Sequence, residues 1–351
     1  MYVDPKIKNA YRVPQPEGRG QFLRLDQNEN PDGVPQWLFD EVVQKISPSF
    51  LSIYPEESAL TEKYAKLFNL SPRNVSLTDG SVVGMGYIIK IFGEPSKKLV
   101  SVTPTFGMYK VYAEMSGLVP KMIPYADDHS FDIKCILNEI DEDTSIVVLV
   151  NPNMPIGNVY SSEEIESVVK KAHEYNAVVI IDEAYYYFTE SNSIDLVKKY
   201  DNVFILRTFS KMLSIPALRL GAIISSEENI HYVENYKPHY TVNSIALLFG
   251  SAIVDNHEKI VSELKSSYQS GRQYLYDSLY ENKYSFLESG GCFVCIRPKN
   301  RSSEELTQLL RENGILILCG TGDLSGYIRV SVCGVKYMRI FMKALLELDS
   351  A

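Results

Sequence analysis

The sequence predicts an α/β protein with a large domain on a mainly parallel sheet between helices, a smaller α+β domain at the C-terminal end, and an N-terminal arm. Three observations carry this. Apolar runs of strand length alternate with amphipathic helical patterns through the middle of the chain. Several runs, such as residues 146–150, are continuous in β-branched residues and leucine, as strands buried on both faces are. Beyond residue 243 the alternation gives way to a long helical stretch and then short strands. The expected divisions are an arm over 1–35, a large domain over 36–243, and a linking helix with the small domain over 244–351.

The arm is rich in Pro, Gly, Asn and charge and ends in LDQNENPDG, residues 25–33; by composition alone it reads as a turn-rich leader. Residues 37–46 carry Leu38, Val42, Val43 and Ile46 at helical spacing, stopped by Pro48, and 58–68 read as a second helix. A strand at 74–78 runs through Asp79-Gly80-Ser81 into an apolar helix over 82–92. A strand, a glycine turn and a helix start form an anion site, because free N–H groups and the helix dipole both favour negative charge. A strand at 98–102 precedes a helix at 109–115, and the strand at 146–150 stops at Asn151-Pro152-Asn153-Met154-Pro155. The helix at 163–175 buries Ile165, Val168, Val169 and Ala172, with Ser161 and Glu164 offering a capping box. Strands follow at 177–181, 203–206 and 220–225, then helix over 244–280. Strands at 285–297 and 315–318, an alternating run at 327–332 containing Arg329, and a closing helix at 335–348 complete the chain.

Composition excludes several classes. The 351 residues are 45% hydrophobic and 23% charged, which is ordinary for a globular protein. A net charge of −9 argues against nucleic acid and anionic membranes as partners. No apolar run reaches the ~18 residues of a membrane span, and the first residues lack the apolar core of a signal peptide, so a cytoplasmic protein is expected. The five cysteines are scattered. Cys292 and Cys295 form a CxxC, but on a strand residues three apart face opposite sides, so small buried groups are expected rather than a metal or redox pair. The five histidines show no metal-ligand spacing, and no metal is expected.

The candidate chemical residues fall just past strand ends, at Gly80, Phe106, Asn153, Asp182 and Lys211, where sheets of this kind bind ligands. IDEAY (181–185) places Asp182 at the end of a buried strand, and RTFSKMLSIPALRLG (207–221) carries Lys211 with Arg219 eight residues on. Taken singly these read as a strand-end cap, a solvated lysine and an ion-pair partner. As a set they match the needs of an aldehyde cofactor with a pyridine ring and a phosphate, namely an amine, an anion for the ring nitrogen and a cation for the phosphate. Tyr185 is placed to donate to the ring's 3-oxygen, Phe106 to stack on its face, and Thr208, Arg219 and the N–H groups of Ser81 and Val82 to hold the phosphate.

These motifs resemble those of fold-type I pyridoxal-phosphate enzymes of the class I/II aminotransferase group, most closely the histidinol-phosphate aminotransferase branch. The resemblance runs from about residue 25 to 332, through LDQNENPDG, Tyr54-Pro55, TDGSVVGM, PTFGMY, NPNMPIG, IDEAYYYF, RTFSKMLSIPALRLG and GYIRVSV. It implies a seven-stranded sheet and pyridoxal 5'-phosphate as cofactor, with Lys211 as the Schiff-base lysine and proton shuttle. Asp182 is implied at the pyridine nitrogen, Tyr185 at the 3-oxygen, and Arg219 and Thr208 at the phosphate beside Gly80, Ser81 and Val82. Ser210 and Asn153 join the expected cofactor-binding set. Tyr54 is implied to reach the other subunit's phosphate, which requires a homodimer. Arg329 is implied to hold the substrate α-carboxylate, and Asn30 and Tyr11 of the arm are expected at the substrate.

Departures from the family pattern also carry meaning. Where the family has an asparagine that bonds the 3-oxygen, this chain has Met154, whose thioether cannot donate; Asn153 is adjacent but is expected to point elsewhere. Phe106 stands for the usual tyrosine, Val82-Val83 for an acidic pair, and Leu318 for an arginine that grips a substrate phosphate. The expected activity is transamination between an α-amino acid and a 2-oxo acid or other carbonyl acceptor, on a substrate other than histidinol phosphate. Decarboxylation of an amino acid, including a phosphorylated one, is the alternative on the same scaffold. A non-catalytic binding protein is a second alternative, against which the presence of Lys211 speaks.

Overall fold

The computed structural model describes residues 1, 3, 7, 17–189 and 191–350. In chain order the elements are β1 (Leu23–Arg24), α1 (Gln36–Val43), α2 (Ser58–Leu67), β2 (Val75–Thr78), α3 (Ser81–Phe92), β3 (Lys98–Thr103), α4 (Met108–Ser116), β4 (Val119–Pro124), α5 (Lys134–Leu137), β5 (Thr144–Val150), α6 (Ser162–Glu174), β6 (Val178–Asp182), α7 (Leu196–Lys199), β7 (Val203–Thr208), β8 (Gly221–Ile224) and α8 (Glu227–Tyr236). There follow α9 (Ser244–Asp255), α10 (His257–Glu281), β9 (Ser285–Leu287), β10 (Phe293–Arg297), α11 (Ser303–Glu312), β11 (Ile315–Leu316), β12 (Leu318–Cys319), β13 (Ile328–Ser331) and α12 (Val335–Leu348).

Seven strands form one sheet in the order β2-β8-β7-β6-β5-β3-β4. Its pairings are parallel except for β8, which is antiparallel to both β2 and β7. Residues of β5 and β7 are buried throughout, around the apolar runs 146–150 and 203–206, and separate apolar clusters pack on the two faces of the sheet. A second sheet, β12-β13-β10-β9, is antiparallel and packs with α10 and α12 around a cluster that includes Phe293, Val330, Phe341 and Leu345. At α6 the capping box is present: the Ser161 hydroxyl accepts from the Glu164 N–H and the Glu164 carboxylate from the Ser161 N–H.

Five expectations needed correction. The stretch 285–297 is two strands, split where Ser289-Gly290-Gly291 turns and the Gly290 N–H bonds to Gly157 O. The stretch 315–318 is also split, because β11 pairs with β1 and β12 with β13. The helical run 244–280 breaks at Asn256. Strand β4 and helices α5, α7 and α8 were unforeseen; β4 lies at the sheet edge, half exposed and containing Pro120 and Pro124, so it lacks the apolar run of a central strand. The described part of the arm is more than a leader: β1 pairs with β11, and the Ser331 N–H bonds to Leu25 O.

Candidate active site

The sheet brings the carboxyl ends of β2, β3, β5, β6 and β7 to one edge, and β8 starts there, with Thr208 paired to Gly221. At this edge lies a cavity lined by Ser81, Val82, Phe106, Val150, Met154, Asp182, Ala184, Tyr185, Thr208, Ser210, Lys211 and Arg219. Gly80 borders it: a Cβ added there would stand 2.4 Å from Arg219 Nη2. The ten residues just named that the motifs singled out, together with Met154, thus converge from five chain segments.

One end of the cavity is built for an anion. The chain enters α3 at Gly80 with φ +83°, a conformation natural to glycine, and the first N–H groups of the helix have no intrahelical acceptor. A Cβ at Gly221 would lie 2.4 Å from Ser81 N, so β8 passes directly beneath this turn. Arg219 closes the end from a left-handed backbone, φ +54°, with Nη1 on Pro216 O at 3.1 Å. A non-glycine residue there stores of order 1 kcal/mol, which the surrounding loop must offset. Ser210 N–H donates to Thr208 Oγ1 at 3.1 Å, and Arg219 Nη1 donates to Ser210 Oγ at 3.4 Å.

The deep wall carries the acid. Asp182 is buried; Oδ2 accepts from the Tyr109 hydroxyl at 2.8 Å and Oδ1 from the Ala184 N–H at 3.0 Å. Burial pushes its carboxyl up to about 6, against the two hydrogen bonds that favour the anion. A buried acid of this kind lacks only a cation, which a protonated ring nitrogen supplies. Lys211 Nζ donates to Gln27 O at 3.0 Å. Its ammonium is held below the usual lysine range, chiefly by desolvation, with Arg329 and Arg219 acting in the same direction and Cys292 and Glu29 opposing. An aldehyde cofactor with a pyridine ring and a phosphate fits this donor set, from the anion cradle through the aromatic Phe106 and Val150 to the carboxylate and the amine.

Arg329 stands beside the cavity. Nη1 donates to the Met154 thioether at 2.8 Å, Nη2 to Asp26 O at 2.8 Å, and Nε is buried without a partner. An incoming carboxylate would satisfy that orphan donor. Other expected residues lie elsewhere. Asn153 turns from the cavity, bonding Thr105 Oγ1 at 2.6 Å, Pro104 O at 2.9 Å and the Tyr125 hydroxyl at 2.9 Å, while Met154 takes the cavity wall. Asn30 bonds Ser214 Oγ at 3.0 Å and borders an adjoining hollow on the far side of Lys211. Tyr54 is 74% exposed, away from the cavity, and stacks on Tyr240 at 4.6 Å. Tyr11 lies outside the described residues.

Several contributors went unread in the sequence. Asp26, Gln27 and Asn28 touch Arg329, Lys211 and Tyr185 in turn, the last through Asn28 Nδ2 to the Tyr185 hydroxyl at 2.8 Å. Behind the site Arg207 and Glu183 form a buried ion pair at 2.7 Å, the guanidinium lying between the rings of Phe68 and Tyr186. Charges inside apolar runs, next to Asp182 and Thr208, were the available signal. Among the described residues no cluster of three or more His, Cys, Asp or Glu is arranged to hold a metal, and no helix is long and apolar enough to cross a membrane.

The model of the family "Aminotransferase class I and II" matches residues 21–345. A histidinol-phosphate aminotransferase of Carboxydothermus hydrogenoformans is 30% identical over 329 residues, spanning 93% of each chain. The crystal structure of histidinol-phosphate aminotransferase from Sinorhizobium meliloti in complex with pyridoxal-5'-phosphate superimposes with a TM-score of 0.88 at 20% identity, covering 99% of this chain and 97% of that one. L-threonine-O-3-phosphate decarboxylase from Porphyromonas gingivalis shares the fold, with a TM-score of 0.77 at 21% identity over 93% of this chain and 98% of its own. With the family matched over nearly its whole length, the chain belongs to the class I and II aminotransferases and is a pyridoxal-phosphate-dependent aminotransferase.

Proposed function

We propose that this enzyme transfers the amino group of an unphosphorylated α-amino acid to a 2-oxo acid or other carbonyl acceptor. The observation that carries the reading is Arg329, with its orphaned Nε, beside a cavity holding Lys211 and Asp182. When bound, pyridoxal phosphate supplies a carbonyl that condenses with the amine and a ring that draws electrons from the substrate Cα. Asp182 as an anion keeps the ring nitrogen protonated, and Tyr185 donates to the 3-oxygen. Arg219, Ser81, Val82, Thr208 and Ser210 hold the phosphate, and Phe106 packs on the ring. Lys211, whose ammonium burial holds below the usual lysine range, would be the group that holds and moves the substrate's Cα proton. Arg329 grips the α-carboxylate, which keeps that group bound and leaves the Cα–H bond to react.

The relatives' names point to histidinol phosphate. Against it stands Leu318, 41% exposed and paired across the small sheet with Arg329. Among the described residues lining the cavity the cations are Lys211 and Arg219, both engaged with the cofactor, so a substrate phosphate would have Arg329 alone. The enzyme works as a homodimer in which Tyr54 reaches the partner's phosphate; the support is its exposure beside Leu51, Ile53 and Tyr240 on an apolar surface.

The test is a panel of amino acids with histidinol phosphate included. Loss of the cofactor's visible band without CO₂ release, reversed by a 2-oxo acid, is expected for an α-amino acid. CO₂ release would establish the decarboxylase instead, and turnover of histidinol phosphate alone would overturn the substrate assignment. Arg329→Ala is expected to raise KM for the amino donor roughly a hundredfold.

A further inference from the structure

Tyr185 is a buried phenol at the cavity wall with one proton to give. Whether it gives that proton to the cavity depends on its other neighbour, Asn28, whose Nδ2 lies 2.8 Å from the hydroxyl oxygen. An amide nitrogen there donates, so the phenol oxygen accepts and its own proton is left for the cavity. An amide oxygen there would take the proton instead. The orientation of this one side chain therefore decides what Tyr185 can do.

The orientation is fixed by Ser331. The Ser331 hydroxyl accepts from the Asn28 N–H at 2.9 Å and donates to Asn28 Oδ1 at 3.2 Å. Turning the amide over would set two N–H donors on Ser331 Oγ and leave its O–H without that acceptor, in a place where Asn28 and Ser331 are both buried. The backbone holds the same position. Asn28 has φ +56°, which asparagine tolerates better than most residues. The two residues just before it are anchored as well, Asp26 O by Arg329 and Gln27 O by Lys211. Among the described residues no protein acceptor takes the Tyr185 proton, and Met154, on the same cavity, has none to offer.

We infer that Asn28, oriented by Ser331, is a positioning residue that aims the Tyr185 hydroxyl proton at the cofactor's 3-oxygen. The inference rests on the proposed placing of Tyr185 against that oxygen. It assigns to the N-terminal arm a part in the electronic tuning of the site, over and above covering it.

The test reads the pH midpoint of the visible absorption of the cofactor-loaded enzyme, which moves with the stability of the anionic 3-oxygen. Tyr185→Phe removes the donor and is expected to raise the midpoint by about one unit. Asn28→Asp preserves shape and backbone preference but leaves only acceptors facing the phenol, which turns its proton to them. Its added negative charge also raises the midpoint, so a double-mutant cycle separates the two effects. Asn28→Asp is expected to shift the wild-type midpoint by about one unit more than it shifts that of Tyr185→Phe. Equal shifts in the two backgrounds would overturn the inference. Ser331→Ala, which adds no charge, is expected to raise the midpoint in the wild type and leave it unmoved in Tyr185→Phe; no shift in either would also overturn it. The other charged and titratable groups around Tyr185, namely Asp182, Lys211, Arg329 and Cys292, stay in place in every variant. If Tyr185→Phe itself leaves the midpoint unchanged, the placing of Tyr185 against the 3-oxygen fails, and the role of Asn28 with it.

Discussion

At the residue scale the balance between stability and chemistry is clearest at Asp182. Its folded carboxyl, raised to about 6 from an ordinary 3.8, favours the folded protein while protonated. That contribution is complete below the unfolded value and is lost as pH rises through the folded one. Cofactor-free protein should therefore lose about 3 kcal/mol of stability from this group between roughly pH 4 and 6. Asp182→Asn should flatten that stretch of the pH–stability curve and raise the Tm of the cofactor-free protein at neutral pH, while weakening cofactor-dependent turnover by orders of magnitude. Thermal melts across pH, with and without pyridoxal phosphate, check both halves. A mutant that melts below the wild type at pH 7 would mean the carboxylate is stabilised by groups other than the cofactor. Lys211 follows the opposite logic: burial lowers its ammonium, so the amine is available at a lower pH than for a solvated lysine.

At the element scale the site depends on how two strand ends and one helix start are held. Glu183 on the loop after β6 and Arg207 in β7 tie the segments that carry Asp182 and Thr208, and the Ser193 N–H adds a bond to Glu183 at 2.6 Å. Breaking a buried pair leaves an uncompensated charge. Arg207→Ala should cost about 3–5 kcal/mol in urea unfolding, whereas Glu183→Leu with Arg207→Met should cost much less than the sum of the single changes. Additive costs would show that the two residues act independently. At the start of α3, Gly80→Ala would force a Cβ onto Arg219 and into a left-handed backbone. It should weaken cofactor binding at least tenfold, measured by fluorescence titration of the cofactor-free protein. Unchanged affinity would argue that the phosphate lies elsewhere.

At the scale of the whole molecule, the sequence was most legible where one physical signal dominates. Central strands β5 and β6 carry the unbroken apolar runs 146–150 and 178–181, and the Ser161–Glu164 box marks the start of α6. Asp182, Lys211 and Arg219 stood out because strand ends and loop spacing put them together. What stayed hidden depends on long-range pairing. The parallel contact of β1 with β11 turns an apparent leader into a wall of the site, and Asn28 meets Ser331 across 303 positions. Edge strand β4 has too little apolar pattern to be read. Assembly is likewise a property of the whole. An apolar surface with Leu51, Ile53, Tyr54 and Tyr240 exposed should be covered in solution. Light scattering should give twice the 39.7 kDa chain mass, and a monomer with full activity would rule out a Tyr54 role in a partner's site. The central claim is that Lys211 is the amine that binds the cofactor covalently. Borohydride reduction of the loaded enzyme followed by peptide mass spectrometry tests it most directly: the phosphopyridoxyl group should map to Lys211 and vanish in Lys211→Ala, and a reduced adduct on another lysine, or one that persists in that variant, would contradict it.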